Sequence, residues 1–567
     1  MTGNKERVTY ETMAKGFFKF AWIGSMTITD LSGVRGVRIT MMFLALLTIA
    51  VYGNSLVNKF VWDDEFIIVR DPAVRDPSGA AALLVSPDVV KPYYRPLNRM
   101  SYLLDYQLFG MRPAGFHAVN VLVHVLNVLL LYLLGLRLFP AAAPAALAAA
   151  LFAVHPVNAE AVNFLSARNT LLSLFFVLSS MLVFHQGLTR GSWGRLVSSG
   201  LLWFLGLLSK EPAAVAIAVL AVMAFTVPGR AERMQRTKIA ALVPHLVFAG
   251  LYELLRTHAL GAAVGSGDIL SGLAGRIADN VYIIPRYLGL VLFPSGLSIM
   301  HALPATDPGM MLWVIPVWGA IAVVLWFLLR TGSIPVYFGM LWLAVNYLPI
   351  SNIIPIPSAP MAERYAYLPA VGLWIIAADR GWALYGKVPA KRALAAAAVV
   401  VLLLFGGVTA NRNRDWKSDV DLFGSVVRAD PESALGHFNL GNALKDAGDL
   451  AGAQREWRET LRLDPAHSGA MTQLGSLSAV DGDYRAAERW FRAALDADPR
   501  NAMARFNLAL IFEKTGRPEE ALVQFDLFLK DVPLEYQEYV PRAEEHRALL
   551  RNGKGSGGRA AMERGRK

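Results

Sequence analysis

The chain has 567 residues, of which 54% are hydrophobic and 17% charged, with a mean hydropathy of +0.39. That is too apolar for a single soluble domain. The net charge of +11 forms no single basic stripe, which argues against nucleic-acid binding, and basic residues flanking apolar runs read instead as cytoplasmic loop anchors. Without a single cysteine, disulfides and thiolate chemistry are excluded.

The first 37 residues do not form a cleavable signal: they carry Lys5, Arg7, Lys15, Lys19 and Arg35 and lack a small-residue cleavage site after a short apolar core. This segment reads as cytoplasmic, with Gly16 to Trp22 as an amphipathic anchor in the interface. From residue 38 to 410 long apolar runs alternate with short polar breaks. Spans of about 20 apolar residues are needed to cross a bilayer. Candidates lie near 38–55, 117–138, 142–156, 168–187, 196–209, 212–228, 239–258, 311–329, 334–350, 366–381 and 393–410. A further apolar stretch, 281–297, is interrupted by Arg286 and two prolines.

Three short loops are basic: Arg190 with Arg195, then Arg230 to Lys238, then Arg380 to Arg392. The positive-inside rule puts them and the N-terminus in the cytoplasm, which holds if 281–297 does not cross. About eleven crossings then leave the C-terminal domain outside. A long loop at 56–116 follows the first span on the same outer side.

After Asp415 a 34-residue period appears. Pro431, Pro465, Pro499 and Pro533 keep it, as do Gly448, Gly482 and Gly516, and Ala453, Ala487 and Ala521. Trp457, Phe491 and Phe525 follow the same register. Proline opening a helix, glycine turning between helices and small residues beneath aromatics describe tetratricopeptide (TPR) helix pairs. Three repeats span 431–532 within a domain at 415–550, with a half-repeat at Trp416 to Arg428 and a capping helix at 534–550. A basic, Gly-rich tail at 551–567 reads as disordered. The expected fold is thus all-α, a polytopic membrane helix bundle followed by a TPR α-solenoid. Such a solenoid docks peptides or proteins, or serves as structure alone.

Charges crowded against span ends are functional candidates. Trp62-Asp63-Asp64-Glu65-Phe66 follows the first span. Mutual repulsion there raises at least one carboxylate pKa, which suits a general base or a cation site, but the run reads equally as a solvated acidic turn. YYRPLNR supplies Arg95 and Arg99; His117, Asn120 and His124 share a helical face further on. The two histidines are too far apart to hold one ion and read as interhelical hydrogen-bonding groups. HPVNAEAVNFLSARN supplies His155, Glu160 and Arg168; Ser209, Lys210 and Glu211 sit between two apolar runs; AERYAYLP supplies Glu363, Arg364, Tyr365 and Tyr367. All fall on the outer side of the layout. Carboxylates beside a cationic rim suit a phosphate-bearing lipid substrate. A transporter would instead show repeated hydropathy halves with charges near span centres, and neither pattern is present.

Together, WDD, YYRPL, FHAVNVLVH, HPVNAEAV, LSKE, AERYAYLP and the C-terminal repeats resemble the transmembrane and TPR-containing O-mannosyltransferases and their bacterial relatives. These belong to the GT-C superfamily of polyprenyl-phosphate-sugar-dependent glycosyltransferases. The resemblance implies a GT-C-like membrane domain and an inverting transfer of a mannose-like sugar from a polyprenyl-phosphate donor to a hydroxyl acceptor on protein. It implies a setting in the bacterial inner (cytoplasmic) membrane, with the active mouth and the TPR domain on the outer, periplasmic side. Asp63 or Asp64 would be the catalytic base, with Asp64 slightly favoured. Arg95, Arg168, Lys210 and Arg364 would hold the leaving phosphate, with Tyr365, His155 and Glu160 lining the donor site. No metal or other cofactor is expected, although Asp63, Asp64 and Glu65 could hold an ion. The repeats would bind a protein or peptide partner. Two other readings stay open: a non-catalytic scaffold for envelope complexes, and a transporter of lipid-linked sugar.

Overall fold

The computed structural model describes residues 31–89, 93–227, 238–261, 272–301, 308–353, 361–551 and 553. The interfacial anchor, the arginines of the second basic loop and the tail beyond 553 lie outside the described residues. The described chain is helical and divides into two compact units, residues 1–418 and 419–567.

The membrane unit begins with α1 (Leu31–Tyr52), followed by a loop of short turns and α2 (Pro96–Phe109). Next come α3 (Pro113–Leu138), α4 (Ala142–Val154), the one-turn α5 (Ala159–Asn163), α6 (Arg168–Arg190), α7 (Trp193–Ser209) and α8 (Ala216–Thr226). The unit ends with α9 (Val243–Leu260), α10 (Leu273–Leu292), α11 (Pro308–Thr331), α12 (Ile334–Tyr347), α13 (Tyr367–Lys387) and α14 (Lys391–Arg412). Its core runs through Tyr132, Phe152, Leu171, Leu174, Trp342 and Val371. α12 and α13 touch backbone to backbone: a Cβ on Gly339 would lie 2.6 Å from the carbonyl oxygen of Gly372. Only glycine admits so close an approach.

Among the described residues six helices are long and apolar enough to cross a membrane, or seven if the bent pair around His155 is one span. Two more, Glu211–Thr226 and Ile334–Ile350, are apolar but shorter. This is fewer full-length spans than the eleven expected from the apolar runs. The remaining runs are helical where expected but shorter or less apolar, among them α4, α7 and α12, which end at Val154, Ser209 and Tyr347. After α4 a break bends the chain by 53° between Val154 and Pro156. The interrupted stretch at 281–297 is helical from Leu273 to Leu292 with Pro285 inside it, and is not among those six.

The second unit contains α15 (Asp419–Ala429), the pairs α16 (Ala434–Asp446) with α17 (Leu450–Leu463), α18 (Ser468–Val480) with α19 (Tyr484–Ala497) and α20 (Ala502–Lys514) with α21 (Pro518–Lys530), and a closing α22 (Val540–Arg551). Gly448, Gly482 and Gly516 turn each pair with φ of +88°, +81° and +77°, the left-handed region open to glycine. Ala453, Ala487 and Ala521 are fully buried. The periodic prolines do not open the helices, as expected from sequence. They lie in the turns, three residues before Ala434, Ser468 and Ala502. The helices start instead where Ser433, His467 and Asn501 cap the backbone N–H groups of Gly436, Ala470 and Ala504. Trp416 is fully buried and falls in the membrane unit, not in a half-repeat.

Candidate active site

The polar clusters meet at one end of the membrane unit, where α1, α4, α7 and α14 end and α6 and α13 begin. A seam of asparagines closes the frame. Asn413 Nδ2 donates to the carbonyl of Val51 and to Asn54 Oδ1 at 2.9 and 2.8 Å. Asn163 Nδ2 donates to Asn413 Oδ1 at 2.7 Å, and Asn58 Nδ2 to Asn163 Oδ1 at 3.1 Å. Four amides thereby join the first loop, the bent segment and the end of α14.

The three adjacent carboxylates diverge. Asp64 is fully buried. Its Oδ1 accepts from Ser166 N and Oγ at 2.8 and 2.6 Å, and its Oδ2 accepts from Val61 N at 3.2 Å. Burial pushes its pKa up to about 7 against those bonds. Glu65 pairs at 3.0 Å with Arg70. Asp63 is half-buried; burial raises its pKa and the charge of Arg364 opposes the rise. Of the two aspartates, Asp63 therefore has the accessible carboxylate, and the slight preference for Asp64 as the base does not fit this geometry. Asp64 ties the loop to Ser166. Among the described residues no group of three or more His, Asp or Glu is arranged to hold a metal ion.

Trp62, beside Asp63, has φ of +54°. For a residue with a Cβ this backbone costs about 1–2 kcal/mol. Its ring stacks on Phe164, with centroids 5.4 Å apart and planes 15° apart.

The cations fall into two kinds. Arg168 is fully enclosed: it pairs with Asp105 at 2.5 Å and donates to Asn120 Oδ1, Ser101 Oγ and the carbonyl of Phe116. With these partners and no solvent exposure, Arg168 is part of the frame of the site. His155 is likewise structural. Its Nδ1 accepts from Val157 N at 3.2 Å, its Nε2 lies 2.8 Å from the carbonyl oxygen of Val291, and Trp374 and Phe405 enclose the ring. It fixes the bend after α4. His124 is buried and bonded to the Tyr367 hydroxyl of another helix, as expected, whereas the buried His117 meets the loop carbonyl of Lys59.

Arg95, Lys210 and Arg364 form the rim. Arg95 grips Glu211 through two nitrogens at 2.9–3.2 Å and lies 4.0 Å over the Tyr93 ring. Arg364 binds the fully buried Glu160 through its backbone N–H at 2.9 Å and through its guanidinium. Glu160 is thus a counter-charge rather than a donor ligand. Tyr365 lies beneath both Arg364 and Lys210, its ring 5.1 and 5.6 Å from their charged ends. Lys210 Nζ donates to Thr170 Oγ1 at 2.6 Å. The described residues give it a hydroxyl and a ring as partners where the two arginines have carboxylates. Burial, with Arg95 and Arg364 close by, pulls its pKa well below the usual lysine range.

Sequence reasoning missed Asp105, Ser166, Thr170, Arg412 and Asn413. Arg412 reaches Asp415 at 2.9 Å and the fully buried Glu363 at 3.8 Å.

A family model described as dolichyl-phosphate-mannose-protein mannosyltransferase matches residues 101–252, and a tetratricopeptide-repeat model matches 438–499 and 472–533. A protein O-mannosyl-transferase of Caenorhabditis elegans is 27% identical over 454 residues, covering 76% of this chain and 64% of that relative. One of Drosophila melanogaster is 26% identical over 536 residues, covering 76% and 61%. A human one is 26% identical over 482 residues, covering 73% and 54%. Over about three quarters of its length the chain is similar to proteins named O-mannosyl-transferases, at 26–27% identity. It spans between 54% and 64% of the length of these three relatives. The mannosyltransferase match contains Glu160, Arg168 and Lys210 and stops short of Asp63, Arg95 and Arg364.

Proposed function

We propose that this chain is a membrane glycosyltransferase that moves a mannose-like sugar from a polyprenyl-phosphate donor to a hydroxyl on a protein. The observation that carries the reading is the half-buried Asp63 at the same mouth as Lys210, a cation whose partners are a hydroxyl and a ring. The names of its relatives as O-mannosyl-transferases support the sugar class.

In this reading Asp63 takes the proton of the acceptor hydroxyl as that oxygen attacks the anomeric carbon. The bond from that carbon to the phosphate oxygen breaks, the configuration inverts, and polyprenyl phosphate leaves with the electron pair. Lys210 meets the negative charge on the phosphate, while Arg95 and Arg364, each already paired, supply field and shape. Glu160 and Glu211 keep the two arginines fixed, which lowers the reorganisation needed at the moment of transfer. No metal takes part. The mouth faces the outer side of the bacterial inner membrane, and the TPR unit on that same side recruits the acceptor protein.

The test is incubation of the purified protein with a panel of polyprenyl-phosphate sugars and an acceptor, with release of the lipid phosphate as the readout. Turnover with one sugar, abolished by Asp63→Asn in a protein that remains folded, is the expected result. A scaffold would release no lipid phosphate, and a transporter would move the lipid-linked sugar across the bilayer without cleaving it.

A further inference from the structure

The chain just past α14 reaches back into the mouth. Trp416 is fully buried. Its ring stacks on Phe164, centroids 5.5 Å apart and planes 27° apart, and Phe164 in turn stacks on Trp62. The backbone on either side is fastened to the strand that leads into Trp62: Lys59 N donates to the carbonyl of Lys417 at 3.2 Å, and Asn58 Nδ2 to the carbonyl of Asn413 at 3.1 Å. The buried indole N–H of Trp416 has no acceptor among the described residues. The side chain is therefore used for its ring and not for a hydrogen bond.

At the other end of this stack Trp62 holds a left-handed backbone, with φ of +54°. A bulky side chain adopts that conformation only where its surroundings hold it there. The other described non-glycine residue with positive φ is Asn352, a residue type that tolerates it. The conformation of Trp62 sets the direction in which the next residue, Asp63, leaves the backbone. Phe164 also lies 5.8 Å from the guanidinium of Arg364, the cation whose charge acts on Asp63.

We propose that Trp416 is a positioning residue for Asp63. The stacked rings of Trp416, Phe164 and Trp62 hold the left-handed turn from which the Asp63 carboxylate departs. The catalytic consequence rests on the reading of Asp63 as the base, whereas the geometric one does not.

Because the chain contains no cysteine, Asp63→Cys introduces a single thiol into the full-length protein. Its labelling rate with a polar maleimide is measured in three backgrounds: Trp416 unchanged, Trp416→Phe and Trp416→Leu. Loss of the stack lets Trp62 relax and turns residue 63 into water. Trp416→Leu then raises the rate about fivefold, equivalent to about 1 kcal/mol, and Trp416→Phe leaves it unchanged. A thiol at the exposed Ser78, made as Ser78→Cys in the same loop, labels at one rate in all three backgrounds and guards against general unfolding. With Asp63 in place, Trp416→Leu lowers kcat with KM for the lipid donor unchanged, and Trp416→Phe restores kcat. Equal labelling of the Asp63→Cys thiol in all three backgrounds would overturn the proposal, as would a Trp416→Leu effect shared by the Ser78→Cys control. If the labelling pattern appears but the native protein releases no lipid phosphate from any donor, Trp416 still positions residue 63 and it is the transferase reading that fails.

Discussion

Arg364 holds Glu160 by two separate bonds, one from its backbone N–H at 2.9 Å and one from its guanidinium. The backbone bond fixes where the turn before α13 sits, and the side-chain bond fixes where the charge points. Glu160 is fully buried, so removing its charge takes away the main counter-charge of Arg364. Glu160→Gln should therefore lower stability by about 3–5 kcal/mol, visible as a depressed thermal midpoint in detergent. Glu211→Gln should cost less, because Glu211 and Arg95 keep 32% and 15% of their side-chain surface exposed.

The two aspartates should separate by kind of effect. Asp63→Asn should reduce kcat by about 10²–10⁴-fold, the range for loss of a general base, with thermal stability kept. Asp64→Asn should act on stability, since it replaces an acceptor bonded by Ser166 and Val61. Ser166→Ala should reproduce part of that loss. Paired measurements of turnover and melting on the three variants decide the matter.

Asp64 also gives stability a pH dependence. Its carboxyl holds a proton to about pH 7 in the fold, against 3.8 as the ordinary value. Between these limits the native state binds the extra proton, so stability falls as pH rises through this window and levels off above it. Melting curves from pH 4 to pH 8 should show the decline in the native protein and lose this component in Asp64→Asn.

Activity should have an acid limb and an alkaline limb with different owners. Asp63 must be ionised, and burial raises its pKa above 3.8, so kcat/KM should fall on the acid side at a pH above the ordinary aspartate range. Lys210 must be charged, and its pKa lies well below 10.5. Donor affinity should then weaken at alkaline pH earlier than an ordinary lysine would allow. Lys210→Met should raise the donor KM by about 10–100-fold, the worth of one hydrogen bond to a charged group. Lys210→Arg should extend activity to higher pH, because an arginine stays protonated there.

Chelation should leave turnover unchanged. Asp64 is tied to Ser166 and Glu65 pairs with Arg70, so the three neighbouring carboxylates do not converge on one point. Assay with EDTA, followed by added manganese or magnesium, checks this; recovery of activity by either ion would count against it.

The repeat unit was legible because its information is local: a 34-residue period repeats proline, glycine, alanine and aromatics at fixed offsets, and each has its own short-range role. The polar mouth was legible as a set, because charge beside apolar runs stands out wherever it falls. The roles within the set were not. Arg168 looks like a phosphate ligand until Asp105 and Asn120, 63 and 48 residues away in sequence, are found to enclose it. His155 looks like a site residue until its ring is seen capping the bend after α4. Asn413 lies outside every motif and bonds to residues 250 and 359 positions away. Such assignments depend on which partners burial supplies, and apolar runs carry no record of that.

The seam formed by Asn54, Asn58, Asn163 and Asn413 is built from side-chain amides, which neither gain nor lose a proton at any ordinary pH. This seam can therefore ignore acidity and salt while the carboxylates and the ammonium around it respond to both. Loss of turnover at the edges of the pH range should accordingly be reversible on return to neutrality, with the seam intact throughout.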